Sequence, residues 1–190
     1  MGESWRNRKA VSWDACPRHN WIGQIHSTNG FYDGSGTSGC LRCIKKNGTQ
    51  SIGRSSGGLT TKVHAITANE KEAVELTLSP GQCHDAPQGR ILMETVGKQD
   101  TETPLVMDKA YEDEETWMVA QLLKFVPVVP PKSNRKNPWE YDKELYKQRN
   151  MVERFFRRLQ GFRRIFCRYE KLDIMYMGFI HLALVFVSIK

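Results

Sequence analysis

Tyr146-Lys147-Gln148-Arg149-Asn150-Met151-Val152-Glu153 is the stretch on which the reading of this chain turns. Tyr146, Arg149 and Glu153 stand at i, i+3 and i+7, which on a continuous helix puts all three on one face. Gln160, two further turns on, falls near that face. Val152, Phe155, Phe156 and Leu159 form the apolar stripe of an amphipathic helix, with Arg154, Arg157 and Arg158 crowded beside it. A glutamate held among cations against a packed aromatic stripe can serve as an electrostatic or metal-binding carboxylate next to a polyanion. The plainer reading of the same residues is a solvated helix laced by an Arg149–Glu153–Arg157 ladder. Phe155 and Phe156 read as core residues rather than as platforms for stacked bases.

The charge balance points the same way. The chain has 190 residues, 39% hydrophobic and 26% charged, which suits one globular domain with a real core. The formal net charge is +7. Between Lys132 and Lys171 there are 13 Lys/Arg against 5 Asp/Glu, a net of +8, so the remainder of the chain nets −1. One basic segment therefore carries the whole imbalance, and a nucleic-acid phosphate backbone is the partner it suits. Lys132, Arg135, Lys136, Arg154, Arg157 and Arg158 are the candidate phosphate contacts.

Met1 to Asn20 is polar and has no apolar core of a secretory signal. The five cysteines (Cys16, Cys40, Cys43, Cys83 and Cys167) are an odd set without such a signal and read as reduced, intracellular thiols. The longest apolar run, Ile174 to Ile189, is shorter than a bilayer span and reads as a C-terminal helix packed on the core, with no membrane partner.

The rest of the chain reads as alternating elements. Trp21 to Thr28 is expected as a strand and Asn29 to Gly58, rich in Gly, Ser and Thr, as a long loop or loose hairpin. Thr60 to Ala68 and Ala73 to Leu78 read as paired strands around a turn at Asn69 to Glu72. Asp85 is expected to cap a helix that carries Ile91, Leu92 and Val96. Pro104 to Met107 reads as a strand ending at Asp108, Glu112 to Lys124 as a helix with an acidic first turn, and Phe125 to Val129 as a strand stopped by Pro130-Pro131. Lys132 to Pro138 reads as a basic loop and Asp142 to Arg164 as one long basic helix. This order implies an α/β three-layer domain with a mixed sheet, and it puts Asp108 at the carboxyl end of a strand, where active sites of such sheets gather.

With these residues in view, the chain resembles the insertion-sequence transposases of the DDE type. Tyr146-x2-Arg149-x3-Glu153 is similar to the signature around that family's third acidic residue. Val106-Met107-Asp108-Lys109-Ala110-Tyr111 resembles its second acidic motif. Ile52-Gly53-Arg54-Ser55-x-Gly57-Gly58-Leu59-Thr60-Thr61-Lys62-Val63-His64, Pro80-Gly81-Gln82-x-His84-Asp85 and Pro130-Pro131-Lys132-Ser133-Asn134-Arg135-Lys136 resemble further blocks in the family's order. The resemblance runs from about Trp21 to the C-terminus. It implies a catalytic domain over 21–190 behind an irregular remnant at 1–20, a ribonuclease H-like fold, and DNA strand cleavage and strand transfer dependent on Mg²⁺ or Mn²⁺. Asp108 and Glu153 would be the catalytic, metal-holding carboxylates, and Tyr146 and Arg149 would join the DNA-binding residues. The implied partners are double-stranded DNA, as transposon ends and target, and further copies of the chain when active. The implied location is the bacterial cytoplasm, on the nucleoid.

Three departures from the family pattern matter. The first acidic residue opens an Asp-Ser/Gly-Thr motif at the end of the first strand, and Ile25-His26-Ser27-Thr28 stands there instead. A Lys often follows the glutamate by seven residues, and that position is Gln160. The region ahead of the first motif is short, so the chain looks N-terminally truncated. The histidine is the serious departure. Two-metal phosphodiester chemistry needs carboxylate oxygens to bridge the ions. Mg²⁺ is hard and oxygen-seeking, whereas imidazole suits Zn, Ni or Cu. The expectation is an impaired enzyme, or else a non-catalytic basic DNA-binding domain left from a decayed transposase.

Other groupings carry less. Asp33 lies seven residues beyond His26 but in a Gly-rich stretch. Cys16-x2-His19 and Cys40-x2-Cys43 have the spacing of a zinc site, although free thiols in a loop are the simpler reading. Gly53 to Gly58 could hold phosphate through backbone N–H groups but lacks the Lys-Ser/Thr of a nucleotide loop. His64 reads as a sheet histidine and His84 as part of a helix start.

Overall fold

Thr60-Thr61-Lys62-Val63-His64-Ala65-Ile66-Thr67 is dense in β-branched residues that fit a pleated, buried surface, and it forms a strand paired on both sides. The computed structural model describes residues 23–32, 48–56, 58–131 and 138–189, the first of these by backbone alone. Within them lie strands β1 (Gly23–Tyr32), β2 (Gly53–Ser55), β3 (Gly58–Thr67), β4 (Ala73–Pro80), β5 (Thr103–Met107), β6 (Phe125–Val128) and β7 (Cys167–Arg168). The helices are α1 (Asp85–Val96), α2 (Glu114–Leu122), α3 (Lys143–Lys147), α4 (Asn150–Gln160), α5 (Arg163–Phe166) and α6 (Asp173–Ile189), with one 3₁₀ turn at Lys109–Tyr111.

These strands form one mixed sheet in the order β2-β3-β1-β5-β6, with β4 also on β3 and β7 also on β1. β3 runs antiparallel to β1 and β4, while β1, β5 and β6 are parallel. The parallel pairs need crossovers, and α1 and α2 supply them on one face. Ile66, Leu105, Met107 and Phe125 pack there against Leu92 and Met93 of α1 and Ala120 of α2. On the other face Val63 and Ala65 meet Val152, Phe155, Phe156 and Leu159 of α4, Ile165 of α5 and Tyr176, Ile180 and Ala183 of α6. Successive β3 side chains thus serve opposite helical layers, as the two-residue period of a strand requires. The expected three-layer α/β architecture is the one observed.

Two of the sequence blocks meet at one corner of this sheet. A Cβ on Gly53 would strike the Gln82 side chain and come within 2.8 Å of Pro80 Cβ, and one on Gly81 would strike Thr60. The glycines are there for close approach.

The structure corrects several expectations. The Asp142–Arg164 segment is not one helix but three. Gln148 and Arg149 form a tighter turn in which Gln148 N–H bonds Leu145 O and Arg149 N–H bonds Tyr146 O, both at 3.0 Å, and Gly161 ends α4. His84, not Asp85, is the N-cap residue of α1, and its side chain makes no capping bond. Asp85 instead receives Lys62 Nζ at 2.8 Å. α2 starts two residues late because Asp113 caps it, accepting from Thr116 N–H. β1 continues to Tyr32, into the stretch expected as loop. Cys16, His19, Asp33, Cys40 and Cys43 lie outside the described residues. No helix among the described residues is long and apolar enough to cross a membrane.

One buried hub had no sequence signal. Arg168 is fully buried and donates to Glu170 O at 2.8 Å, Thr61 Oγ1 at 2.7 Å, Lys171 O at 3.0 Å and Asp173 Oδ1 at 2.8 Å. Its guanidinium lies 4.7 Å from the Tyr176 ring centroid. Burial pushes the Asp173 carboxyl up. Hydrogen bonds from Ser51 N–H, Arg168, Ser51 Oγ and Thr49 outweigh that and hold it below the ordinary aspartate value. A depressed folded-state value adds stability above the unfolded value and loses it as pH falls through the folded one. Below about pH 4 the Asp173→Asn variant is therefore expected to lose stability less steeply than the parent, as read by urea midpoints against pH. Parallel curves would contradict this.

Candidate functional site

The parallel register of β1 and β5 sets the site. Ile25 pairs with Met107, so one residue further along each strand stand His26 and Asp108. On its other side His26 pairs with Ala65 of β3. Asp108 follows the last residue of β5 and caps the 3₁₀ turn, its Oδ1 accepting Lys109 N–H at 2.7 Å. The strand ends and the chain turns there, which leaves a carboxylate at the carboxyl edge of the sheet.

The other residues arrive from the far layer. Tyr146 sits on α3, Arg149 in the turn, and Glu153 in the first turn of α4. The buried stripe Val152, Phe155, Phe156 and Leu159 fixes the rotation of α4 against the sheet. Phe155 and Phe156 are core residues whose rings meet edge to face at 5.3 Å. Arg149 Nη2 holds Glu153 Oε1 at 2.9 Å, one rung of the expected ladder. The Arg149 guanidinium lies 5.8 Å from the Tyr146 ring centroid, and Tyr141 meets that ring edge-on at 5.6 Å.

Electrostatics link the two layers. Burial raises the Tyr146 phenol above its ordinary value. Arg149 opposes this, and the charges of Asp108, Tyr141 and Glu153 add to the rise. Asp108 and Glu153, 45 positions apart in sequence, thus act on one hydroxyl. That hydroxyl stays protonated at ordinary pH.

A divalent metal needs more oxygen donors than this. Among the described residues no group of three His, Cys, Asp or Glu could hold an ion. Asp108 and Glu153 are the carboxylates at hand, and Glu153 is already bonded to Arg149. The described donor set does not amount to a two-metal site.

The basic face is less free than its composition implied. Arg154 Nη1 and Arg158 Nη2 reach the two carboxylate oxygens of Glu70, at 3.4 and 2.8 Å. Arg164 pairs with Glu170, and Arg168 is in the core. Arg157 is exposed and has no ion pair among the described residues. Lys132, Arg135 and Lys136 lie outside the described residues. Glu70 and Tyr141 were missed by sequence reasoning. His64 is the sheet histidine expected, fully buried with Nε2 2.7 Å from Ser79 Oγ.

Residues 30–187 match the family model described as a transposase DDE domain. The chain is 31% identical over 136 residues to a curated Brucella ovis protein named as a putative transposase for insertion sequence element IS6501, across 70% of this chain and 100% of that relative. The fold is similar to that of the piggyBac transposase in a cryo-EM synaptic complex with hairpin DNA. The TM-score is 0.50 at 11% identity, over 86% of this chain and 45% of that one. The chain thus spans under half of the solved structure it resembles.

Proposed function

The chain belongs to the transposase DDE domain family, with the ribonuclease H-like fold of such domains, and from that premise we propose that residues 21–190 bind double-stranded DNA and carry a catalytic site in which His26 has replaced an acid. Asp108 and Glu153 are the residues that would hold Mg²⁺ or Mn²⁺. Such an ion would supply Lewis-acid stabilisation of the phosphodiester undergoing cleavage and strand transfer. Arg149 holds Glu153 in place. The observation that carries this reading is the parallel register of β1 and β5, which sets position 26 beside the strand end at Asp108 in a chain of this family.

A second reading has its own support. His26 in the acidic position and the bond between Glu153 and Arg149 both favour a domain that binds DNA without cutting it. Titration with Mn²⁺ distinguishes the two. The catalytic reading expects weak binding that disappears in both Asp108→Asn and Glu153→Gln. Binding that survives both substitutions would remove these carboxylates from the metal site.

DNA binding has a separate test. Arg157→Ala with Arg158→Ala is expected to weaken duplex binding across sequences and to reduce the log–log salt slope by roughly two. Unchanged affinity and slope would mean that this side of α4 does not face DNA.

A further inference from the structure

Glu70 sits at the tip of the turn between β3 and β4, far in sequence from the helix it touches. The turn is organised to hold it there. Asn69 Oδ1 accepts Lys71 N–H at 2.8 Å and Glu72 N–H at 3.0 Å, Asn69 Nδ2 donates to Glu72 Oε2 at 2.7 Å, and Ala68 N–H donates to Glu72 O at 3.1 Å. With Glu72 turned back on Asn69, Glu70 faces α4. Its two oxygens each take one arginine, Arg154 on Oε2 and Arg158 on Oε1. Those arginines are four residues apart, on one face of α4, and Arg158 lies about 7.5 Å along the helix axis from Glu153.

We infer that Glu70 is an intramolecular stand-in for a DNA phosphate, occupying the Arg154–Arg158 pair until a nucleic-acid backbone displaces it. The inference rests on the reading of α4 as a DNA-facing helix. Two arginines converging on the two oxygens of one carboxylate offer the geometry that the two non-bridging oxygens of a phosphodiester require. All three side chains keep solvent access, with relative exposures of 58% for Arg154, 40% for Arg158 and 32% for Glu70. Exposed pairs of this kind are weak and exchange readily. A phosphate arriving with its neighbours along a strand can therefore compete with a single carboxylate. The contact would lower affinity for DNA in general and reserve these two arginines for a duplex seated along α4.

The test uses the full chain and a fluorescently labelled duplex of arbitrary sequence, with affinity measured against KCl concentration. The variants are Glu70→Gln, the Arg154→Ala Arg158→Ala pair, the three changes combined, and Glu94→Gln. Glu94 is an exposed acid of α1 in the opposite layer, so it makes the same change in net charge. Melting curves check that each variant is folded. Glu70→Gln is expected to bind roughly tenfold more tightly at low salt, with a slope steeper by about one to two. That gain should vanish without the arginines, and Glu94→Gln should behave as the parent. The inference is overturned if Glu70→Gln binds no more tightly or more weakly, if Glu94→Gln gives an equal gain, or if the gain survives loss of both arginines. Failure of every variant, parent included, to bind duplex at low salt would contradict the DNA-facing reading itself, and this inference with it.

Discussion

His26→Asp is expected to give the largest gain of function available to this chain. The substitution puts an acidic residue on the strand next to β5, one step past the Ile25–Met107 pair. A neutral imidazole contributes no negative charge and no bridging oxygen, and it prefers softer metals than Mg²⁺. Restoring a ligand to a two-metal site is worth several kcal/mol in the transition state, so nicking of duplex DNA should rise by a factor on the order of a thousand. Mn²⁺ affinity should rise in parallel, which gives a readout independent of turnover. Asp108→Asn in the His26→Asp background should abolish both gains. If the parent chain already cleaves at the rate of His26→Asp, the assignment of the first acidic position is wrong.

Arg168→Met is expected to cause the largest loss of stability. The guanidinium is fully buried, bonded to two side chains and two carbonyls, and joins β3, β7 and the start of α6. Removing one partner of a buried ion pair costs about 3–5 kcal/mol, because the remaining groups stay buried without it. For a domain of this size that is a fall in melting temperature of roughly 6–20 °C. In Asp173→Asn the amide oxygen can still accept from Ser51 N–H, but the buried Arg168 loses its charged partner, so a loss is expected there too. The Tyr176 hydroxyl, pushed up to about 12 mainly by burial, donates to Ile165 O at 2.8 Å and marks the same dry environment. An Arg168→Met variant melting within about 2 °C of the parent would contradict the role assigned to this hub.

Much of the fold was legible because its signals are local. The alternation of Thr60 to Ala68, the apolar run before Asp108 and the stripe at Val152, Phe155, Phe156 and Leu159 each report one element's period, and each element formed. The break at Gln148–Arg149 was not legible, because neither residue is a Gly or Pro and both keep right-handed helical dihedrals. Tyr146 and Glu153 therefore reached the same neighbourhood through a tightened turn rather than along one helix. The charge count over 132–171 was correct as arithmetic and misleading as a surface. It could not tell that Arg168 lies in the core or that Arg154 and Arg158 are claimed by Glu70, 84 and 88 positions away. Long-range pairing of this kind leaves no period and no spacing to read.

The family also explains why separated blocks stand out. Some of them are chemistry, as proposed for Asp108 and Glu153. Others are packing, as where Gly53 meets Pro80 and Gln82, and Gly81 meets Thr60. A motif match alone does not distinguish the two.

The most direct test is the position of a bound metal. Crystals of the His26→Asp chain soaked in Mn²⁺ should show anomalous scattering at the carboxyl end of β5, beside position 26 within β1, with Asp108 and Glu153 as shared ligands and Glu153 released from Arg149. Manganese bound elsewhere, or Asp108 and Glu153 contributing to no common ion, would contradict the account.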